Sequence, residues 1–257
     1  WRVGGQLVNN FEENSQWLLG ADFERRSTGD YKNSNVITGV DRAIAMPKGE
    51  TQEYALFGQW QQSWQSHKFI AGVRFVNNEK SGSNLLPRLN WVYTIDDFSS
   101  IKLLYSVGFN SPNFVQQEIH IPPNVITGDP DLKAETIDTI DFAYSFHDKK
   151  QLFIVNAYYL NANDFIERVS NGFEVVYANK GHFTRYGLEL DYQYVSDSLR
   201  FIGNLAYQHQ GNSINDSDKA AQFVPKLSAS VGVSWQLSEH HFLGLNAKYR
   251  GSRTVVE

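Results

Sequence analysis

The chain has 257 residues, a formal net charge of −5, one methionine and no cysteine, which excludes a disulfide framework, a thiolate metal site and a cysteine nucleophile. A mildly acidic balance excludes the basic patch of a nucleic-acid binder. A mean hydropathy of −0.42 without any stretch near eighteen apolar residues excludes transmembrane helices. The opening Trp1-Arg2-Val3-Gly4-Gly5 has neither the basic nor the apolar region of a signal peptide. Aromatic residues make up 14% of the chain without the apolar blocks of a helical protein, and this points to β-structure.

Strict alternation of apolar and polar residues marks a strand, because successive side chains point to opposite faces. Read along the chain, it predicts about twelve strands. They fall at 2–11, 16–27, 52–64, 67–77, 85–95, 99–109, 135–146, 151–162, 183–195, 199–210, 223–237 and 242–250. In 101–109 one face carries Ile101, Leu103, Tyr105, Val107 and Phe109. In 139–146, Ile140, Phe142, Tyr144 and Phe146 oppose Thr139, Asp141, Ala143 and Ser145. In 186–194, Tyr186, Leu188, Leu190, Tyr192 and Tyr194 oppose Gly187, Glu189, Asp191 and Gln193. Phe201, Gly203, Leu205 and Tyr207 repeat the pattern, as do Leu227, Ala229, Val231, Val233 and Trp235. None of these apolar faces carries a charge. Many runs reach about ten residues, twice the usual soluble strand and close to the roughly nine to eleven tilted residues that cross a bilayer.

The connections alternate in length. Those at 12–15, 65–66, 96–98, 147–150, 196–198 and 238–241 are short and polar; those at 28–51, 78–84, 110–134, 163–182 and 211–222 are longer. An outer-membrane barrel has tight turns on one rim and long loops on the other. Trp17, Trp60, Trp91, Tyr93, Tyr144, Phe146, Tyr194 and Trp235 lie near strand ends on the apolar face, as interfacial girdles do. The reading is therefore an antiparallel transmembrane β-barrel with its apolar face toward lipid and a wet, polar lumen. The competing arrangement is a soluble sheet with the aromatic face packed inside. Short turns at both ends place both termini on the long-loop rim, whereas a complete single-chain barrel normally has them on the other. Residues 1–257 accordingly read as a partial barrel lacking an odd number of strands at each end, and Val255-Val256-Glu257 supplies no terminal aromatic residue.

Two stretches flank the 110–134 connection: Tyr105-Ser106-Val107-Gly108-Phe109-Asn110-Ser111-Pro112-Asn113 and Gly128-Asp129-Pro130-Asp131-Leu132-Lys133-Ala134-Glu135. They resemble a strand end and the following strand start of the TonB-dependent outer-membrane receptor family, with Asn110 in place of the usual Arg and Ala134 in place of the usual Pro. Asn163-Asp164-Phe165-Ile166, Tyr186-Gly187-Leu188-Glu189-Leu190, Phe223-Val224-Pro225-Lys226-Leu227 and Tyr249-Arg250-Gly251 are similar to later strands. The resemblance covers about 85–251, while 1–84 matches in style alone. It implies a roughly 22-stranded barrel filled by an N-terminal plug, of which this chain would supply about strands 8 to 19 without plug or closing strands. Ordinary chain punctuation also explains these motifs: Pro112 and Pro130 cannot donate to a ladder and mark strand ends, and Gly128 permits a turn.

No phosphate loop, Gly-x-Ser-x-Gly elbow or His-Glu-x-x-His helix occurs. The histidines, at 67, 120, 147, 182, 209, 240 and 241, are scattered, and adjacent His240 and His241 face opposite ways on a strand. Asp129 with Asp131, and Asp216 with Asp218, have hard-cation spacing but also ordinary turn chemistry. No catalytic residue, resident metal or cofactor is expected. His120 lies where the family's haem receptors place an axial histidine, but Asn110 and Asp131 depart from their pattern, and a solvated loop histidine is the simpler reading.

The leading expectation is a Gram-negative outer-membrane receptor, embedded in lipid, that takes up a scarce large nutrient such as a ferric siderophore. The resemblance implies a TonB complex acting through the absent plug. Its outer loops would bind the solute, with Tyr31, Asn113, Phe114, His120, Phe173 and Tyr177 as candidates. The alternatives are uptake of haem or another solute, a twelve-strand outer-membrane hydrolase using Ser111 and His120, and a soluble β-sheet binding module such as a lectin.

Overall fold

The structure is a computed structural model and describes residues 1–12, 14–34, 37, 41–121, 126–170, 172–211 and 224–253. Alternation is realised as strands β1 (Arg2–Glu12) and β2 (Ser15–Thr28), a hairpin of β3 (Tyr31–Ser34) and β4 (Asp41–Met46), then β5 (Gly49–Trp64), β6 (His67–Asn78), β7 (Gly82–Thr94) and β8 (Ser99–Asn110). A one-turn helix α1 (Phe114–Glu118) and two short strands, β9 (His120–Ile121) and β10 (Ile126–Thr127), follow. The wall resumes with β11 (Glu135–His147), β12 (Gln151–Ser170), β13 (Val175–Val195), β14 (Leu199–Gln210), β15 (Leu227–Ser238) and β16 (His241–Arg250). Twelve of these strands form one antiparallel sheet in chain order, β1-β2-β5-β6-β7-β8-β11-β12-β13-β14-β15-β16.

The register keeps the two faces apart across the whole sheet. One cross-strand row runs from Trp17 to Trp60, Ala71, Leu89, Tyr105, Ile140, Tyr159, Tyr186 and His209. It starts beside the short turn before β2 and ends near the loop end of β13, so the strands tilt steeply against the rims, as barrel closure requires. The opposite face carries the charge. Asp22 accepts from Arg2 at 2.7 Å and pairs with Arg74 at 2.9 Å, and Arg26 reaches Glu24 at 2.7 Å and Glu53 at 3.6 Å. Hydroxyl and amide pairs continue this face: Ser100 with Ser145, Ser106 with Thr139, and Ser230 with Asn204. Glu189 and Asp191 lie on it too, opposite Asn156 and Ile154 of β12. Tyr158 lies across from Gly187, where a Cβ would fall 2.6 Å from the Tyr158 ring, so this glycine makes room for an aromatic side chain on the polar face.

The short rim is built from turns that satisfy themselves. Asp96 accepts from the Phe98 N–H, Asp148 from Lys150 and Gln151, and Ser238 from His240. Gln65 takes φ 52° in the two-residue turn between β5 and β6. On the other rim the segment read as the connection 78–84 is tighter than its composition suggests. β6 ends at Asn78 and β7 begins at Gly82. The Asn78 side chain accepts from the N–H groups of Lys80 and Ser81, and Gly82 has φ +82°, so three residues turn the chain. The segment read as the loop 163–182 is largely strand: β12 and β13 run on, paired, to Ser170 and Val175. A bulge between Ala162 and Ile166, with Asp164 at φ 55°, resets the alternation and conceals the continuation from a period-two reading.

The buried apolar side chains among the described residues are Ala45, Met46, Ala55, Val76, Ile119, Leu132, Ala134, Ala162 and Ile166. Ala55, Val76 and Ala162 point to the polar side of the wall, near its long-loop end. The core therefore sits where the 110–134 segment folds back against the inner wall, and the opposite face of the sheet stays bare.

Candidate functional site: the outer loops over the lumen

The long-loop rim is organised by the 110–134 segment. Asn113 caps α1: its side-chain oxygen accepts from Gln116 N–H at 2.9 Å, and the Gln116 side chain returns the bond to Asn113 N–H at 2.9 Å. This reciprocal box contributes about 1 kcal/mol to so short a helix. Phe114 lies against Gly49, and the Lys80 ammonium sits 5.3 Å from its ring centre while pairing with Glu118. Ser111 hydrogen-bonds Ser81, and the wall carboxylate of Glu53 accepts from Asn78. The helix is thus tied to β5 and to the turn between β6 and β7.

The return to the wall uses the second motif. Gly128 donates to Ile119 O at 2.6 Å and Asp129 to Gln116 O at 3.0 Å. A Cβ on residue 128 would lie 2.6 Å from the Gln117 carbonyl carbon and 2.8 Å from Glu118 N, so only glycine fits this approach. Asp129 accepts from Asp131 N–H, an Asx turn, so the Asp129 carboxylate is engaged in chain geometry; Asp216 and Asp218 lie outside the described residues. Leu132 is 1% exposed. Asn179 of β13 accepts from Lys133 N–H at 2.8 Å and donates to the carbonyls of Lys133 and Asp164. Glu135, 7% exposed, accepts from the Asn110 side-chain amide at 2.8 Å and from Ile166 N–H at 2.7 Å. One carboxylate therefore joins β8, β11 and the bulge of β12, with the Asn110 amide donating into that joint.

The structure brings together three of the six predicted ligand contacts. β10 pairs parallel with β13 through Ile126 with Val175 and Thr127 with Val176, and antiparallel with β9 through Thr127 with His120. His120 is exposed, its Nδ1 3.4 Å from the Thr127 hydroxyl, which donates to Glu174 at 2.7 Å. Phe173, 93% exposed, is next in the chain to Glu174, and Tyr177 lies opposite Arg168 in the same hairpin. Asn113 and Phe114 form a second group at α1, engaged with the wall rather than held free. Tyr31, 54% exposed, pairs with Met46 in the β3–β4 hairpin, whose second strand packs beside β9. Lys80, Glu118, Thr127 and Glu174 are site-forming residues that no sequence spacing announces, since each pairing spans a fold-back of the chain.

Electrostatics at this rim is local. Above Phe23 and Tyr54, the Arg25 guanidinium holds the Glu50 carboxyl below its ordinary value through a side-chain hydrogen bond. No group of three or more His, Cys, Asp or Glu poised for a metal occurs among the described residues. Ser111 bonds Ser81 and sits 3.5 Å from Glu53, and His120 engages Thr127. These contacts do not form the nucleophile–base pair that the hydrolase alternative needs.

Comparison with solved structures supplies the fold's relatives. The siderophore receptor PirA from Pseudomonas aeruginosa superposes with a TM-score of 0.74 at 17% identity, covering 96% of this chain and 45% of that one. PirA from Acinetobacter baumannii gives 0.76 at 16% identity, covering 100% of this chain and 43% of that one. A variant of the ferric enterobactin receptor PfeA from Pseudomonas aeruginosa, solved in complex with enterobactin, gives 0.72 at 15% identity, covering 97% and 41%. The chain thus spans less than half the length of these receptors, and at such identities the likeness speaks for the fold alone. No curated protein matched the sequence. The family and these neighbours are receptors rather than enzymes. All 257 residues match the description "TonB dependent receptor-like, beta-barrel", and the chain belongs to that family.

Proposed function

We propose that this chain forms part of the wall and outer loops of a Gram-negative outer-membrane receptor that takes up a ferric siderophore, with movement of a plug domain driven by the TonB complex. The observation that carries the reading is the two-sided sheet. Twelve tilted strands present a predominantly apolar, girdled face on one side, with polar residues such as Asn9, Gln62, Asp138 and Asn161 toward its edges. The other side holds charged and hydroxyl groups and the folded-in 110–134 segment. Such a wall needs lipid on one side and water on the other.

The solute would be held at the rim, with His120, Phe173 and Tyr177 on one side and Tyr31 on the neighbouring hairpin. Asn113 and Phe114 would contribute from α1. Rings supply apolar area, and His120 with the Asn113 amide supplies hydrogen bonds to the oxygens of an iron chelate. The iron is cargo, so no resident metal site is required of the protein. The neighbours include a siderophore receptor and a receptor bound to enterobactin, ligands of this chemical class.

The test is growth of an iron-starved deletion strain on a panel of ferric siderophores, complemented by the full-length gene. Uptake of one chelate that disappears when TonB is removed supports the reading. Chelate uptake that persists without TonB, or that survives substitution of all six loop residues, overturns it.

A further inference from the structure

Two apolar grooves lie side by side on the bare outward face. The first, about 630 Å³, is lined by Trp60, Phe69, Ala71, Leu89, Trp91 and Leu103, with Tyr105 closing it toward the loop rim. The second, about 450 Å³, is lined by Trp17, Leu19, Gly58, Trp60, Ala71 and Val73. Both volumes fall in the range of small-molecule pockets. Trp60 and Ala71 line both, so the Trp60 indole is a ridge between two furrows, and Gly58 and Ala71 are the small side chains that leave them open. Trp60 Nε1–H finds no acceptor among the described residues.

The lower mouth of the first groove is a polar ledge. His67 stacks on Tyr93 at 4.7 Å, on Trp91 at 5.9 Å and on Phe69 at 6.1 Å, and Trp64 flanks it at 6.3 Å. Trp91 Nε1–H donates to His67 Nδ1 at 3.1 Å. An indole nitrogen only donates, so Nδ1 must accept, and the neutral imidazole carries its proton on Nε2. His67 Nε2–H and the Tyr93 hydroxyl are thereby donors at the short-turn edge of an apolar furrow.

We propose that these grooves hold the two acyl chains of one phospholipid, straddling Trp60, with the phosphate accepting from the His67 and Tyr93 ledge. The inference rests on the membrane reading above and adds a discrete site to it. The occupant follows from continuity with the lipid-facing band: the grooves are sections of that band, and Asn90 and Gln59, which also line them, belong by register to the opposite face. The Tyr105 hydroxyl is engaged with Asp138, and the stacked polar ledge is at the interfacial end, where a headgroup lies. A protein partner or a second copy would need several matching polar groups within the patch, and the side chains on this face of the lining offer indole N–H groups and the already engaged Tyr105 hydroxyl.

The experiment is native mass spectrometry of the full-length receptor, delipidated in mild detergent and titrated with dipalmitoyl phosphatidylglycerol. One bound lipid is expected. Ala71→Trp fills both grooves and should lower the retained fraction at least tenfold; His67→Phe keeps the stack, removes the donor and should weaken binding several-fold. Thermal unfolding checks that Ala71→Trp still folds, and Gly58→Leu, which closes the second groove alone, is the reserve variant. Graded adducts that neither substitution changes overturn the site while leaving the membrane reading intact. A protein dimer that Ala71→Trp dissolves overturns it in favour of self-association. A receptor soluble and monomeric without detergent overturns the membrane reading itself.

Discussion

The orientation of the sheet can be tested at neighbouring residues of β13. Leu190 is outward, between Val155 and Leu205, and stands four residues from Tyr186 and four from Tyr194. At about 3.3 Å per residue and roughly 40° of tilt, each ring row is about 10 Å away along the membrane normal, which places Leu190 near the midplane. No acidic side chain neighbours it across the strands, so Leu190→Arg puts an uncompensated cation in hydrocarbon at a cost of about 2–4 kcal/mol. That lowers the folding equilibrium constant by a factor of roughly 30 to 1,000. Glu189 is one residue away on the opposite face, exposed, and flanked by Asn156 and Ala206. Glu189→Arg there should change stability by no more than about 0.5 kcal/mol. The measurement is equilibrium urea unfolding of the full-length receptor in phosphatidylcholine vesicles, followed by tryptophan fluorescence. Equal costs, or a larger cost at 189 than at 190, would refute the assignment of the apolar face to lipid.

Three further outcomes follow from the loop geometry. Glu135→Ala leaves Ile166 N–H and the Asn110 amide without their acceptor and should cost about 2–5 kcal/mol; Glu135→Gln can still accept from Ile166 and should cost less than about 1.5 kcal/mol, both read from urea midpoints in detergent. Gly128→Ala forces Gln117 and Glu118 backbone apart, at about 1–3 kcal/mol, and should expose the 110–134 segment to limited proteolysis while the wall resists; an unchanged digestion pattern would contradict the close approach. Phe173→Ala, at a fully exposed tip, should leave the unfolding midpoint within about 0.5 kcal/mol yet weaken chelate binding by about 1 kcal/mol or more, if the ring is an anchor. Calorimetry on the purified receptor reads the second effect, and unchanged affinity removes Phe173 from the site.

The wall was legible because alternation is a local property with a single structural meaning: a run such as Leu199–Gln210, the bounds of β14, shows both faces in its own residues. Legibility failed where local order and pairing part company. At Asp164 one residue in the left-handed region shifts the phase, and the paired strand beyond reads as loop. At 78–84 the Ser and Gly residues that open β7 are the residues that usually fill connections. Helix α1 is too short to show a period and exists because Asn113 and Gln116 cap each other and because Phe114 and Lys80 hold it to the wall.

The loop site was less legible for a reason that bears on function. Residues of the motif Gly128-Asp129-Pro130-Asp131-Leu132-Lys133-Ala134-Glu135 are spent on chain geometry: a close backbone approach, an Asx turn, a buried leucine and a buried carboxylate joining three strands. A motif that fixes a joint identifies the scaffold and says little about the solute. The residues proposed to meet a solute, His120, Phe173 and Tyr31, lie between the joints and take no part in the Glu135 joint. Their grouping depends on β10 lying beside β13, a contact between segments about fifty residues apart. On the function proposed above, substrate choice would change without disturbing the fold, and the substitutions that report on it are those that move binding while leaving the Glu135 joint intact.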